Sequence, residues 1–113
     1  MKITTIAGVL GLFAALSFSP QASAAPDANA AQALAKKEGC LKCHAIDKKK
    51  EGASLKEISA KYKGKADAQA KILHHLTAGD KVKFADGTEE EHKVIKSKDQ
   101  AELSNLIAWI LSL

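Results

Sequence analysis

The sequence predicts an all-α protein of about four helices, and three observations lead to that fold class. Two Ser-x-x-Glu/Gln patterns, Ser54 with Glu57 and Ser97 with Gln100, are typical of the capping boxes that begin helices. No segment has the composition and alternation of a convincing strand. Near the carboxyl terminus, apolar residues recur at the spacing of an amphipathic helix: Leu103, Leu106, Ile107, Ile110 and Leu111.

Residues 1–24 have the pattern of a secretory signal peptide. Lys2 supplies a charged start, residues 3–18 are apolar apart from Thr, Gly and Ser, and Ala22-Ser23-Ala24 fits the small-residue cleavage rule. The apolar segment is shorter than the ~20 residues that span a bilayer, so an uncleaved membrane anchor is the weaker alternative. We therefore expect cleavage before Ala25, export to the periplasm, and one mature domain of residues 25–113 that does not insert into a membrane.

A first helix is expected over residues 28–38, with Asp27 as its N-cap and Gly39 as its stop signal. Cys40-Leu41-Lys42-Cys43-His44 follows at once and contains the only two cysteines of the chain. Two thiols at this spacing can each add to a vinyl group of one haem, while the next residue presents an imidazole to the iron. The pentapeptide therefore predicts covalent attachment of haem c, with His44 as an iron ligand.

Three other roles are open to this cysteine pair: a thioredoxin-like redox pair, half of a zinc site, and a structural disulfide. The chain has no βαβ pattern beside the motif and no second C-x-x-C or H-x-x-x-H. A disulfide across so short a spacing constrains almost no chain. The sequence context therefore favours haem attachment over all three.

The rest of the chain is expected to form three more helices. The second begins at the Ser54 capping box and runs to about residue 63, and the third covers about residues 67–78 and ends at Gly79. Residues 80–96 form a polar stretch with an Asp86-Gly87 turn signal and an acidic run at 89–91. The last helix follows the Ser97 capping box and carries Trp109.

The composition argues against nucleic-acid binding and favours a protein that contains a large cofactor. The chain contains no Arg, so the bidentate recognition of phosphates and bases that nucleic-acid-binding proteins use is not available. The mature domain is small, and its only aromatic side chains are Tyr62, Phe84 and Trp109. A domain of this size buries a limited core, so we expect a large apolar cofactor to supply much of it.

With these features the chain resembles the class I c-type cytochromes, in particular their small bacterial monohaem members. The resemblance covers essentially the whole mature chain and rests on residues 39–47, 55–62 and 108–113. It implies a class I cytochrome c fold, with about four helices around one haem that is held covalently by Cys40 and Cys43. It also implies an electron-transfer protein rather than an enzyme.

The chain departs from this family on both sides of the expected iron. Members usually place a Met sulfur opposite the His, but the only methionine here is Met1, which lies in the predicted signal peptide. Counting back eleven residues from Leu103 reaches His92 in the methionine position, so the resemblance implies bis-histidine ligation by His44 and His92. A solvated surface histidine is the alternative role for His92. On the other side, Gly52-Ala53 stands where the family has Gly-Pro, whose Pro carbonyl accepts the proton of the proximal imidazole.

His74 and His75 are the competing candidates for the distal ligand. Adjacent helical residues point about 100° apart, so only one of the two could face the haem. The matching positions in the family are mostly solvent-facing, and we expect both to be surface residues.

These observations predict a periplasmic one-electron carrier. A haem c protein that binds a small gas (NO, CO or O₂) at a labile or open distal position is the alternative. Redox proteins are the expected partners. Lys42 within the motif and Lys48-Lys49-Lys50 just after it favour partners that have an acidic docking surface.

Overall fold

The computed structural model describes residues 24–113, and in this part of the chain the prediction of four helices is confirmed. The predicted signal peptide lies, apart from Ala24, outside the described residues. In chain order, the elements are helix α1, a short 3₁₀ turn over Cys40–Lys42, helices α2 and α3, strands β1 and β2, and helix α4. Their bounds are Ala28–Lys37 for α1, Leu55–Tyr62 for α2, Ala68–Thr77 for α3, Lys81–Lys83 for β1, Glu89–Glu91 for β2 and Gln100–Ser112 for α4.

Helices α1 and α4 form the main packing pair of the fold. Asp27 caps α1 by accepting a hydrogen bond from Ala30 N at 3.0 Å. Asn105 of α4 then holds the same residue twice: its side chain accepts from Asp27 N at 2.8 Å and donates to Asp27 O at 2.9 Å. The residues just before α1 are thus tied to the last helix, and the cysteine motif that follows α1 is held beside α4.

Helix α2 begins as predicted and is joined to α4 by a buried serine. Ser54 accepts from Glu57 N at 3.1 Å, and the Glu57 carboxylate accepts from Ser54 N at 2.7 Å, which completes the capping box. Ser59 donates to the Leu111 carbonyl at 3.1 Å. The core that these helices enclose is mainly aliphatic. Apart from alanines, its buried apolar residues are Leu34, Leu55, Tyr62, Ile72, Leu76, Ile95, Leu103, Leu106, Ile107, Trp109 and Ile110.

The predicted capping box at the start of α4 is wrong by two residues. Asp99 is the N-cap, and its carboxylate accepts from Ala101 N at 2.9 Å and Glu102 N at 3.2 Å. The Ser97 hydroxyl instead donates to the Glu102 side chain at 2.8 Å. The backbone N–H of Ser97 is bonded to Glu38, at the end of α1, which holds this part of the chain outside the helix.

The expectation that the chain has no strand is wrong for the polar stretch. Strands β1 and β2 pair antiparallel, with Lys81 opposite Glu91 and Lys83 opposite Glu89. The predicted Asp86-Gly87 turn is confirmed, because Gly87 has φ +88° and its N–H donates to Phe84 O at 3.0 Å. The residue pairs at both ends of this hairpin are of opposite charge rather than apolar, an arrangement that favours strand pairing. Its second strand ends directly before His92.

None of the helices in residues 24–113 has the length and apolar character needed to cross a bilayer.

Candidate haem-binding site

A cleft of about 1300 Å³ lies among the four helices and the hairpin. Every helix contributes to its wall, and both strands of the hairpin border it. The cysteine motif lies along one side. Its apolar wall includes Leu55, Ile58, Tyr62, Ile72, Leu76, Phe84, Leu106, Trp109 and Ile110. The cleft has the apolar wall that a flat, mostly apolar cofactor requires.

The cysteine motif enters this cleft through a tight turn. Gly39 has φ +79°, a conformation that glycine adopts without strain, and it ends α1 immediately before the motif. His44 N then donates to Cys40 O at 3.0 Å, so the motif completes about one helical turn. Cys40, Cys43 and His44 all line the cleft. The structure therefore brings the three residues of the motif to one surface.

Cys40 and Cys43 do not form a disulfide with each other. Burial raises the pKa of Cys40, and the nearby carboxylate of Glu38 raises it further. Burial also raises the pKa of Cys43, and so does the hydrogen bond from its thiol to Glu51 at 3.6 Å. Two thiols at the edge of an apolar cleft, neither of them in a disulfide, lie where a cofactor held in the cleft could form thioether bonds with them.

A hydrogen bond fixes the tautomer of His44. Its Nδ1 lies 2.6 Å from the Ala53 carbonyl, and a carbonyl oxygen can only accept, so Nδ1 carries the proton. The lone pair of the neutral ring is then on Nε2, where a metal can bind. The Ala53 carbonyl thus takes the role expected of the proline carbonyl in the family that the chain resembles.

Glycine at position 52 keeps this arrangement possible. A Cβ at Gly52 would lie 2.7 Å from His44 Cε1 and 3.0 Å from His44 Nδ1, and both distances are too short. The N–H of Gly52 donates to Cys43 O at 2.9 Å, which closes the loop against the motif. The close approach of this backbone to the imidazole therefore requires the residue without a side chain.

His92 lies across the cleft from His44, and their ring centroids are 6.2 Å apart. Two imidazoles bound to opposite sides of one metal ion, with bonds of about 2.0 Å each, have centroids roughly 6 Å apart. Among the buried side-chain nitrogen and oxygen atoms of residues 24–113, only His92 Nδ1 has no hydrogen-bond partner. Burial lowers the pKa of His92, and the imidazoles of His44 and His75 lower it further, so the ring is neutral, as a metal ligand must be.

The two neighbouring histidines of α3 have different surroundings. His74 points away from the cleft and lies 2.8 Å from the Asp80 carboxylate. His75 is at the rim of the cleft, with its ring centroid 6.3 Å from that of His92 and its Nε2 3.5 Å from the Tyr62 hydroxyl. His75 is solvent-exposed, as expected, but unlike His74 it also lines the cleft.

Sequence reasoning missed the part that Glu38 plays. This residue is only 5% exposed, and its carboxylate accepts hydrogen bonds from Lys96 N at 2.8 Å and Ser97 N at 3.3 Å. One signal in the sequence was available. An acidic side chain at the end of a helix opposes the helix dipole, which favours cations there, so Glu38 breaks a local rule that its neighbours Lys36 and Lys37 obey.

The cytochrome c family model matches residues 28–113, which span the helices, the motif and the cleft. The chain belongs to the cytochrome c family. It therefore carries one covalently bound haem c and is an electron-transfer protein rather than an enzyme.

Curated relatives and solved structures agree with this assignment. Cytochrome c-551 of Allochromatium vinosum is 32% identical over 89 residues, which are 79% of this chain and 92% of that protein. Cytochrome c2 of Rhodocyclus tenuis is 34% identical over 82 residues, 72% of this chain and 89% of the relative. The crystal structure of class 1 cytochrome MtoD from Sideroxydans lithotrophicus ES-1 is similar at a TM-score of 0.74 and 53% identity, covering 78% of this chain and 97% of that one. Cytochrome c552 of Nitrosomonas europaea has a TM-score of 0.59 and 33% identity, covering 73% and 98% of the two chains.

Proposed function

We propose that this cytochrome c is a periplasmic one-electron carrier whose haem iron is bound by His44 and His92. The observation that carries the ligand assignment is the 6.2 Å separation of the two imidazoles across the cleft. The signal-peptide pattern of residues 1–24 supports export, and haem c is attached outside the cytoplasm. Residues 25–113 would then be the mature domain, which works without membrane insertion.

The residues of the cleft have separate tasks in this proposal. Cys40 and Cys43 hold the cofactor through two thioether bonds, and His44 presents Nε2 while the Ala53 carbonyl holds the proton on Nδ1. His92 supplies the second imidazole. The haem itself supplies an iron that changes reversibly between ferric and ferrous.

Ligation by two imidazoles lowers the reduction potential of the haem relative to ligation by one imidazole and one thioether. A thioether ligand raises the potential of c-type haem, and an imidazole stabilises ferric iron better. We therefore expect a lower potential than in His/Met members of the family, within the ~0.8 V range that axial ligands and surroundings command.

Carbon monoxide separates this proposal from the gas-binding alternative. The ferrous wild-type protein is expected to bind CO slowly and weakly, because His92 occupies the position that the gas needs. Stopped-flow mixing with CO, followed by the Soret band, measures this directly. Rapid and tight binding by the wild-type protein would favour a sensor or binder of NO, CO or O₂ instead.

We further propose that the partner docks at the lysine-rich edge formed by Lys42, Lys48, Lys49 and Lys50. All four lysines are exposed, and Lys50 Nζ donates to the Leu41 carbonyl inside the motif at 3.0 Å, so this charge lies beside the cofactor. The hairpin on another part of the rim carries Glu90 and Glu91. Lys61, Lys83 and Lys93 also border the cleft, so its basic charge extends beyond the motif. The four exposed lysines at the motif suit a redox partner with an acidic surface.

The docking proposal predicts a salt-dependent rate of electron transfer. With an acidic redox protein as partner, the second-order rate should fall as ionic strength rises past about 0.1 M, where the screening length is ~10 Å. The triple variant Lys48→Gln, Lys49→Gln, Lys50→Gln should lower the rate at low salt and flatten its salt dependence. The matched control changes the exposed Lys56, Lys63 and Lys98, which lie outside the cleft. If the two triple variants had equal effects on the rate, net charge alone would explain the salt dependence, and the proposed docking site would be wrong.

A further inference from the structure

The segment of residues 92–97, which carries His92 and leads to α4, is held by backbone N–H groups at three places. His92 N donates to Asp80 O and Ile95 N donates to Leu76 O, both at 2.8 Å. These two bonds join the segment to α3 and to the residues just after it. The third attachment is the Glu38 carboxylate, which accepts from Lys96 N and Ser97 N. Of the three, only this one reaches α1.

Glu38 lies two residues before Cys40, at the end of the helix from which the haem motif continues. Its carboxylate is therefore attached, through a few covalent bonds, to the part of the chain that presents Cys40 and His44. Its two oxygens are attached to the segment that presents His92. The buried side chain spans the two halves of the proposed iron site, and sequence separation between the partners is 58 and 59 residues.

The position of Glu38 at the end of α1 gives no reason for an acidic residue. The end of a helix favours cations, and the two preceding residues, Lys36 and Lys37, are basic. The carboxylate is buried rather than solvated, and both of its oxygens bond to N–H groups that would otherwise lack a partner. The unfavourable interaction of Glu38 with the helix dipole is offset by its hydrogen bonds to Lys96 N and Ser97 N.

We propose that Glu38 is a positioning residue for the distal ligand. It fixes the segment of residues 92–97 against α1, so that His92 stays at binding distance from an iron held by His44. This inference rests on the proposed bis-histidine ligation. It predicts that losing the carboxylate lets His92 leave the iron more often, although Glu38 touches neither the iron nor either imidazole.

Rates of CO binding to the ferrous holoprotein test this role. Changes to groups that orient a metal ligand commonly weaken the metal bond 10- to 100-fold, and we expect Glu38→Ala to raise the CO association rate by roughly that factor. Glu38→Gln keeps one oxygen for the shorter bond to Lys96 N, so its increase should be smaller. Glu102→Gln is the matched control, because Glu102 accepts from the Ser97 hydroxyl on the exposed side of the same segment.

The outcomes separate a positioning role from a merely structural one. Far-UV circular dichroism and urea unfolding establish that each variant is folded, and Glu38→Gln serves if Glu38→Ala does not fold. A folded variant that is less stable but binds CO at the wild-type rate would overturn the proposal, as would an equal increase in Glu102→Gln. His92→Ala is measured in parallel. If it binds CO fast while the Glu38 variants do not, only the positioning role fails; if His92→Ala itself keeps the wild-type rate, the proposed function fails as well.

Discussion

Replacing His92 with alanine is expected to convert the ferrous protein into a rapid binder of carbon monoxide. CO binds only to the fraction of iron whose sixth position is free, so a ligand that leaves the iron about 1% of the time slows the gas roughly 100-fold. His92→Ala removes that competition and should raise the CO association rate by about this factor. The ferric protein should change at the same time from a low-spin to a high-spin spectrum.

His75→Ala is the matched control for this experiment. His75 also borders the cleft, and its ring centroid is 6.3 Å from that of His92, but it is exposed and its Nε2 lies near the Tyr62 hydroxyl. We expect its removal to leave the CO rate and the ferric spin state close to those of the wild type. If His75→Ala opened the iron and His92→Ala did not, the ligand assignment would move to α3.

Preventing haem attachment is expected to unfold the cytochrome c domain. Without haem, a large cleft in the middle of a small domain would be left unfilled. Its walls include the core residues Leu106, Trp109 and Ile110, which would then contact water. Exposed apolar surface costs about 25 cal/mol per Å², and a domain this small has little other core to compensate. The double variant Cys40→Ser, Cys43→Ser should therefore lose most of its helical far-UV signal and its cooperative unfolding transition.

Ser54→Ala provides the control for stability. It removes the N-cap of α2, which costs about 1 kcal/mol, but it leaves Cys40 and Cys43 unchanged. This variant should keep its helical signal and unfold cooperatively at a slightly lower urea concentration. If the double cysteine variant behaved like Ser54→Ala, the cleft would not depend on its cofactor for folding.

The helices were predictable because local patterns specify them. The capping box of Ser54 and Glu57, the N-cap Asp27 and the stop at Gly39 act between residues that are close in sequence, and all of them occur in the structure. The hairpin was missed because its strands have three residues each, too few for an alternating pattern. The start of α4 was misplaced because a contact with α1 decides it, and no local signal records that contact.

In the candidate site, too, residues specified by local sequence could be predicted, and those that depend on distant contacts could not. Cys40, Cys43 and His44 are contiguous, so their chemistry could be predicted from the sequence alone. His92 could be named only by comparing spacing with a known family, because it lies 48 positions after His44 in the sequence. Glu38 was missed altogether. Its role depends on a partner segment 58 residues away, which the fold brings back to the end of α1.

The central claim is that two imidazoles bind one iron, and near-infrared magnetic circular dichroism of the ferric holoprotein tests it most directly. The ligand-to-metal charge-transfer band in this region depends on the identity of both axial ligands. We expect a single low-spin ferric species with the band of a bis-imidazole haem, and loss of that band in His92→Ala. A high-spin spectrum of the wild-type protein, or a low-spin band that persists unchanged in His92→Ala, would contradict it.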